Sequence, residues 1–308
     1  MKYSLKDIHR SVYSKTHEKL QYYNTLDETL YYKTEETLGT TKTLLQGLGN
    51  IALITLSSKT QLIKDVYSFR FIFPDSNMTS GVTLGQHVRL WVHDPKYPKK
   101  LTKRRYFPMS MVYQRGYIDF SIRIYRPNND FPNGGYESQL LDKLKIGDKV
   151  GIDGPEGNWM YLGNGNIKNE DNITKNFKIL ITIGRGTAIG PIFNIMEHVE
   201  RNPDDFTKVI MIDINDNESD ILYYDKLKEF NSSRQFKVDF VVENPTNGWK
   251  GLTGKFDFEA LKKVLLDEPA VRDLNDVWIS TCGSFDENQE RVKWFHELGF
   301  DDLNIHVF

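Results

Sequence analysis

Arg104-Arg105-Tyr106-Phe107-Pro108-Met109-Ser110, preceded by the basic run Lys99-Lys100-Leu101-Thr102-Lys103, lies between two stretches that alternate with period two. Before it, Val88, Leu90 and Val92 alternate; after it, Ile118, Phe120, Ile122 and Ile124 alternate strictly with Asp119, Ser121 and Arg123. Period two means strands with one buried face. The quoted stretch is therefore itself extended, and it offers a guanidinium, an aromatic ring and a hydroxyl along one segment. Such a set can hold a phosphate, stack on a ring and hydrogen-bond a polar edge.

Outward from it, Tyr67, Phe69, Phe71 and Phe73 alternate as well, and Ile51–Ser57 is a short apolar run. Gly134-Gly135-Tyr136-Glu137-Ser138 opens a helical pattern expected over Gln139–Leu144, and a strand is expected over Val150–Asp153. This half reads as an antiparallel barrel or sandwich. The Asn/Gly-rich residues 158–176 suit an inter-domain connection. Beyond them Phe177–Ile183, Val209–Ile214, Phe236–Val242 and Val277–Ser280 are continuous apolar runs, with helical stretches near Leu222–Phe230, Phe256–Leu266 and Asp286–Leu298 between them. That alternation predicts a parallel sheet covered on both faces. The expected architecture is an N-terminal extension (1–50), a β-barrel domain (51–160) and an α/β domain (161–308).

Composition narrows the function. The net charge of −2 on 308 residues argues against a nucleic-acid partner. Cys282 is the single cysteine, so no internal disulfide exists and a reducing intracellular compartment is expected. No apolar run approaches the roughly 18–20 residues of a membrane span. The seven histidines show no metal-ligand spacing, and His198 and His296 have no ligand partner nearby in sequence, so no metal is expected. Residues 1–50 are polar and carry the pairs Tyr22-Tyr23 and Tyr31-Tyr32. They read either as a solvated arm or as an arm that lies on a partner, since tyrosine is favoured at interfaces.

Two turns are ready for anions. Ile183-Gly184-Arg185-Gly186-Thr187-Ala188-Ile189-Gly190-Pro191 joins a buried strand to a helix, where a parallel sheet can bind pyrophosphate. Gly134–Ser138 is the second, with Ser138 and backbone N–H groups as donors. One turn in each domain, with an Arg-x-Tyr-x-x-x-Ser segment between, suggests a dinucleotide cofactor and a second nucleotide.

From about Ile51 to Phe308 the chain resembles the cytochrome b5 reductase family of the ferredoxin-NADP reductase superfamily. The resemblance rests on Gly85-Gln86-His87, Arg104-x-Tyr106-x-Pro108-x-Ser110, Phe131-Pro132-Asn133-Gly134-Gly135-Tyr136-Glu137-Ser138-Gln139, Leu144-Lys145-Ile146-Gly147-Asp148 and Gly154-Pro155-x-Gly157. Asn215, Glu218, Asp220-Ile221-Leu222, Cys282-Gly283 and Val307-Phe308 continue it in order. It implies a bound FAD, with Arg104 on the pyrophosphate, Tyr106 stacked on the flavin and Ser110 closing the motif. It implies Ser138 and its neighbours Gly134, Gly135, Tyr136 and Glu137 on a phosphate, and Arg123 and Tyr125 along the cofactor. NADH is implied as a transient substrate at an NAD-like site of Gly184, Arg185, Gly186, Asp220 and Gly283, with Thr187 among the cofactor-binding residues, Cys282 and the position of Phe107 as candidate catalytic positions, and a haem protein as acceptor. The basic run over residues 96–105 is a candidate docking patch for that acceptor.

The chain departs from the family pattern on the hydride side. Phe107 stands where the family has Ser or Thr, Arg185 and Ala188 replace glycines of Gly-Gly-Thr-Gly-Ile-Thr-Pro, and Cys282-Gly283-Ser284-Phe285 replaces Cys-Gly-Pro-Pro. Two readings follow. The first is an FAD-containing NADH-dependent reductase. The second is a family member that keeps the fold and FAD, has lost turnover, and serves as an accessory subunit of a larger assembly, respiratory and mitochondrial or otherwise membrane-peripheral.

Overall fold

Ile118, Phe120 and Ile122 alternate because one face of their strand is dry: all three are buried while Asp119 and Ser121 face outward. The computed structural model describes residues 42–97, 101–129, 131–169 and 171–308. Most of the expected arm, and Lys99 and Lys100 of the basic run, lie outside the described residues.

The first domain is a six-stranded antiparallel, barrel-like sheet made of β1 (Gly47–Ile63), β2 (Val66–Ile72), β3 (His87–His93), β4 (Leu101–Tyr106), β5 (Tyr117–Arg123) and β6 (Lys149–Glu156), with helix α1 (Tyr136–Asp142) between the last two. The strand order is β4-β3-β6-β1-β2-β5. Beyond β4 the chain turns to meet β5 at the other edge, where the Met109 N–H donates to the Asp119 carbonyl at 2.7 Å. Inside, Ile54, Leu56, Phe69, Phe71, Val88 and Phe120 form the core.

β1 is longer than the apolar run suggested, because only Ile54 and Leu56 of its length are fully buried and its ends are exposed or half-buried. Residues 42–50, grouped by composition with the extension, belong to this domain: Leu44 and Leu45 are buried, and the Gly49 N–H donates to Asp153 at 2.8 Å. α1 starts three residues before the expected helix, since the Gly135 carbonyl accepts from the Gln139 N–H. The expected connection over 158–176 is itself structured, as β7 (Met160–Tyr161), β8 (Asn166–Lys168) and β9 (Thr174–Asn176) in a small antiparallel sheet. Strands of two or three residues are too short for alternation to register.

The second domain is a parallel sheet of β10 (Ile179–Arg185), β11 (Lys208–Asn215), β12 (Phe236–Val242), β13 (Leu252–Thr253), β14 (Val277–Cys282) and β15 (Ile305–Val307). The helices α2 (Gly190–Arg201), α3 (Tyr224–Phe230), α4 (Phe258–Leu266) and α5 (Phe285–Glu297) are interleaved with these strands. The order β13-β12-β11-β10-β14-β15 places β10 where the chain reverses direction across the sheet. Open sheets of this kind bind ligands outside the carboxyl ends of their strands at that switch point. Ile181, Ile212 and Ile279 pack one face; on the other, Leu180 and Met211 share a core with Leu84, Trp159 and Tyr161 of the barrel side. The two domains thus meet in one apolar core.

Candidate functional site at the seam of the domains

The Arg104–Ser110 segment leaves β4 and passes directly under α2. Asn194 of α2, itself buried, donates to the Pro108 carbonyl at 2.8 Å and to the Ser110 carbonyl at 3.3 Å. Ser110 accepts from the Asp119 N–H at 3.1 Å, so its hydroxyl fixes the segment to β5. Tyr106 packs its ring edge against Phe120, with centroids 6.2 Å apart. The Tyr106 hydroxyl is buried and has no hydrogen-bond partner, and burial raises its pKa well above that of a free phenol. Arg104 is exposed and makes no ion pair among the described residues. An orphaned buried hydroxyl beside an unpaired guanidinium is the arrangement expected of a segment built to meet a ligand.

The Gly134-Gly135 turn sits against the end of β5. A Cβ on Gly134, at φ +59°, would lie 2.4 Å from the Tyr125 carbonyl, and one on Gly135 would lie 2.6 Å from the Ser138 hydroxyl. Only glycine lets these backbones touch. Ser138 accepts from the Tyr125 N–H at 3.1 Å and donates to the Gly135 carbonyl at 3.0 Å. Its hydroxyl therefore holds Tyr125 in place, leaving that ring 44% exposed as a free aromatic face. Glu137 accepts from Thr102 of β4 at 2.6 Å, and Tyr136 donates to Asp94, which raises the Tyr136 pKa to about 12. Tyr106, Tyr125, Arg104 and the glycine turn thus line one side of the barrel. These residues fit FAD: a cation for phosphate, an aromatic face for a ring and an unsatisfied hydroxyl for a polar edge.

Arg123 reaches from β5 toward the second domain, its Nη2 lying 3.3 Å from where a Cβ on Gly186 would stand. Gly186, at φ +58°, begins the single turn Gly186–Ile189 that carries Thr187 and Ala188. Here β5 of the first domain meets the anion-ready turn of the second.

Phe107 is packed in this seam. Its ring meets His87 edge-on at 5.2 Å and Phe308 at 5.6 Å, and Gly190 lies close enough that a Cβ would sit 3.4 Å from the Phe107 Cβ. Phe308 continues into Trp159 (4.9 Å) and His306 (4.9 Å), and Trp159 touches Trp278 at 4.7 Å. Burial lowers the His306 pKa to about 3 and also lowers that of His87, so both rings are neutral members of an aromatic wall.

Arg185, at the carboxyl end of β10, is held by three carboxylates. Its Nε donates to Glu287 at 2.9 Å, its Nη1 to Asp216 at 2.6 Å and its Nη2 to Glu243. Burial opposes its charge, but the Glu243 hydrogen bond and the facing Glu243 and Glu287 charges hold its pKa above the ordinary value. Glu287 also caps α5 through a capping box with Ser284, which leaves Phe285 77% exposed beside the crevice. Cys282 ends β14 opposite Gly184, and burial pushes its thiol up to about 12, so it stays protonated near neutrality. Asp220 accepts from Asn217 in the turn after β11 and takes no part in the Arg185 ion pairs. Sequence reading singled out Arg185 but not its three partners. The available signal was position: Asp216 and Glu243 each stand one residue past a buried strand. Among the described residues no cluster of histidine, cysteine and carboxylate side chains could hold a metal ion, and no helix is long and apolar enough to cross a membrane.

Comparison with known proteins agrees with this geometry. Residues 53–161 match the family model for an oxidoreductase FAD-binding domain, and residues 182–286 match that for an oxidoreductase NAD-binding domain. The chain is 32% identical over 240 residues to NADH-cytochrome b5 reductase 2 of Danio rerio, covering 75% of each protein. It is 36% identical over 233 residues to the NADH nitrate reductase of Spinacia oleracea, covering 74% of this chain but 24% of that protein. The chain thus spans about a quarter of the length of the nitrate reductases it matches. The crystal structure of the cytochrome b5 reductase domain of Ulva prolifera nitrate reductase superposes with a TM-score of 0.78 at 26% identity, covering 86% of this chain and 99% of that one. The two domain matches give the chain an FAD-binding domain followed by an NAD-binding domain.

Proposed function

Because the chain belongs to the cytochrome b5 reductase family, we propose that it is an FAD-holding oxidoreductase unit that takes hydride from NADH and feeds a haem protein. The observation that carries this is the barrel cradle: unpaired Arg104, the orphaned Tyr106 hydroxyl and the exposed Tyr125 ring, held by Gly134, Gly135 and Ser138. Arg104 would neutralise phosphate, Tyr106 and Tyr125 would line the ring and ribityl chain, and Arg123 would bridge toward Thr187. FAD, when bound, supplies hydride acceptance and stepwise electron release. The aromatic wall of Phe107, Phe308 and Trp159 excludes water from the seam. The acceptor would meet the basic face that includes Lys96, Lys103 and Arg105, in a reducing compartment. A visible spectrum of the purified full chain tests the cofactor: a colourless protein that ignores added FAD would defeat it.

A second reading is favoured by Phe107 and Arg185. Phe107 fills the seam where its hydroxyl-bearing counterparts stand in the family, and Arg185 is tied to three carboxylates at the switch point. On this reading the protein keeps FAD, turns NADH over poorly and acts as an accessory subunit of an assembly, mitochondrial or otherwise membrane-peripheral, engaged through the part of the N-terminal extension that precedes residue 42. Anaerobic NADH addition separates the readings, since bleaching of the flavin within seconds would defeat the accessory one.

A further inference from the structure

We propose that Arg185, Asp216, Glu243 and Glu287 form an electrostatic latch across the carboxyl edge of the parallel sheet, in which a pyrophosphate must compete with three carboxylates for one guanidinium. This rests on the reading that the edge receives a nicotinamide dinucleotide.

The four residues come from four elements that converge there. Arg185 ends β10, Asp216 and Glu243 follow β11 and β12, and Glu287 lies in the first turns of α5 after β14. Arg291 backs the set: it is almost fully buried, donates to Thr281 at 3.1 Å and lies 3.3 Å from Glu287. Two guanidiniums against three carboxylates leave one net negative charge at the place where an open sheet ordinarily offers bare N–H groups to phosphate. Gly283 is shaped to the same set, since a Cβ on it would lie 2.9 Å from Glu287 Oε2 and 3.1 Å from Arg291 Nη1. That glycine makes room for an internal ion pair.

The latch makes a counter-intuitive statement about Arg185. Removing it does not open the crevice; it leaves Asp216, Glu243 and Glu287 facing an incoming pyrophosphate with their own neutralising partner gone. Neutralising an acid has the opposite effect, because part of Arg185 is then free for phosphate. The side chain that looks like an obstruction is a guanidinium able to reward the ligand.

The probe is ADP-ribose, which carries the pyrophosphate and cannot transfer hydride, titrated calorimetrically into the full chain with its flavin. Glu243→Gln should tighten ADP-ribose about tenfold and Asp216→Asn roughly threefold, following the partly buried and the exposed pair respectively. Arg185→Gly should weaken it relative to the wild type. The Asp216 side chain is 63% exposed, so Asp216→Asn keeps the fold even where the Arg185 variant does not. Tighter binding by Arg185→Gly alone would make Arg185 a steric plug and overturn the latch, as would acid-to-amide variants that bind no better than the wild type. Failure of every protein to bind, the Arg185→Gly/Glu243→Gln/Glu287→Gln triple included, would overturn the dinucleotide reading itself.

Discussion

The barrel cradle and the carboxyl edge of the sheet both gather arginine and glycine, yet they treat charge in opposite ways. At the cradle, Arg104 and Arg123 make no ion pair among the described residues, and the Tyr106 hydroxyl is left without a partner. At the edge, Arg185 has three carboxylates, Glu287 is shared with Arg291 and Ser284, and Gly283 only makes room for them. Unsatisfied polar groups in a folded interior are costly, so a site that keeps them is shaped for something it binds. A site that satisfies them internally has to be reopened first.

The comparison can be broken at several points. The largest effect is expected from Gly134→Ala, where a Cβ would stand 2.4 Å from a carbonyl at a left-handed φ. It should cost on the order of 3–4 kcal/mol in urea unfolding and abolish FAD binding together with it. An unfolding curve like that of the wild type would show the turn to be adaptable. Next is Asp213, fully buried on β11 with one oxygen unpartnered, where burial raises the pKa to about 7 against a partial offset from Asn215. The folded state therefore holds this proton more tightly than the unfolded chain, and the stability it contributes is present below about pH 4 and lost as pH rises through 7. Asp213→Asn should gain on the wild type across that window by on the order of 3 kcal/mol. A gap that stays flat with pH would refute the assignment.

Arg104→Ala should leave unfolding unchanged and weaken FAD by about 2 kcal/mol, since it removes a charge-assisted contact and no internal one. Loss of stability with no loss of flavin affinity would reverse the contrast between the two ends. The smallest effect is expected at Ser284→Ala, which removes the capping box of α5 and should lower stability by about 1 kcal/mol. If it also changes flavin content, the two ends are coupled more closely than their side chains suggest.

Much of this was legible in the sequence. The alternation of Ile118, Phe120 and Ile122 and the continuous runs of the second half identified a barrel followed by a parallel sheet, because one-sided and two-sided burial leave different patterns. The motif residues of the cradle were also visible, since backbone turns and an Arg-x-Tyr spacing are local. What sequence could not show was the pairing of residues far apart in the chain. Arg185 meets Asp216, Glu243 and Glu287 at separations of 31, 58 and 102 positions. Ser138 could be read as a phosphate donor, but the fold uses its hydroxyl to orient Tyr125. The short strands over 158–176 escaped notice because their burial comes from scattered single residues such as Trp159, Tyr161 and Ile167.

The pair of indoles in the seam has a practical side. Trp159 belongs to the barrel and Trp278 to the parallel sheet, and their rings stand 4.7 Å apart. With Trp91, Trp249 and Trp294 replaced by Phe, the emission of this pair becomes a built-in reporter of any ligand or partner that parts the two halves, with no label attached.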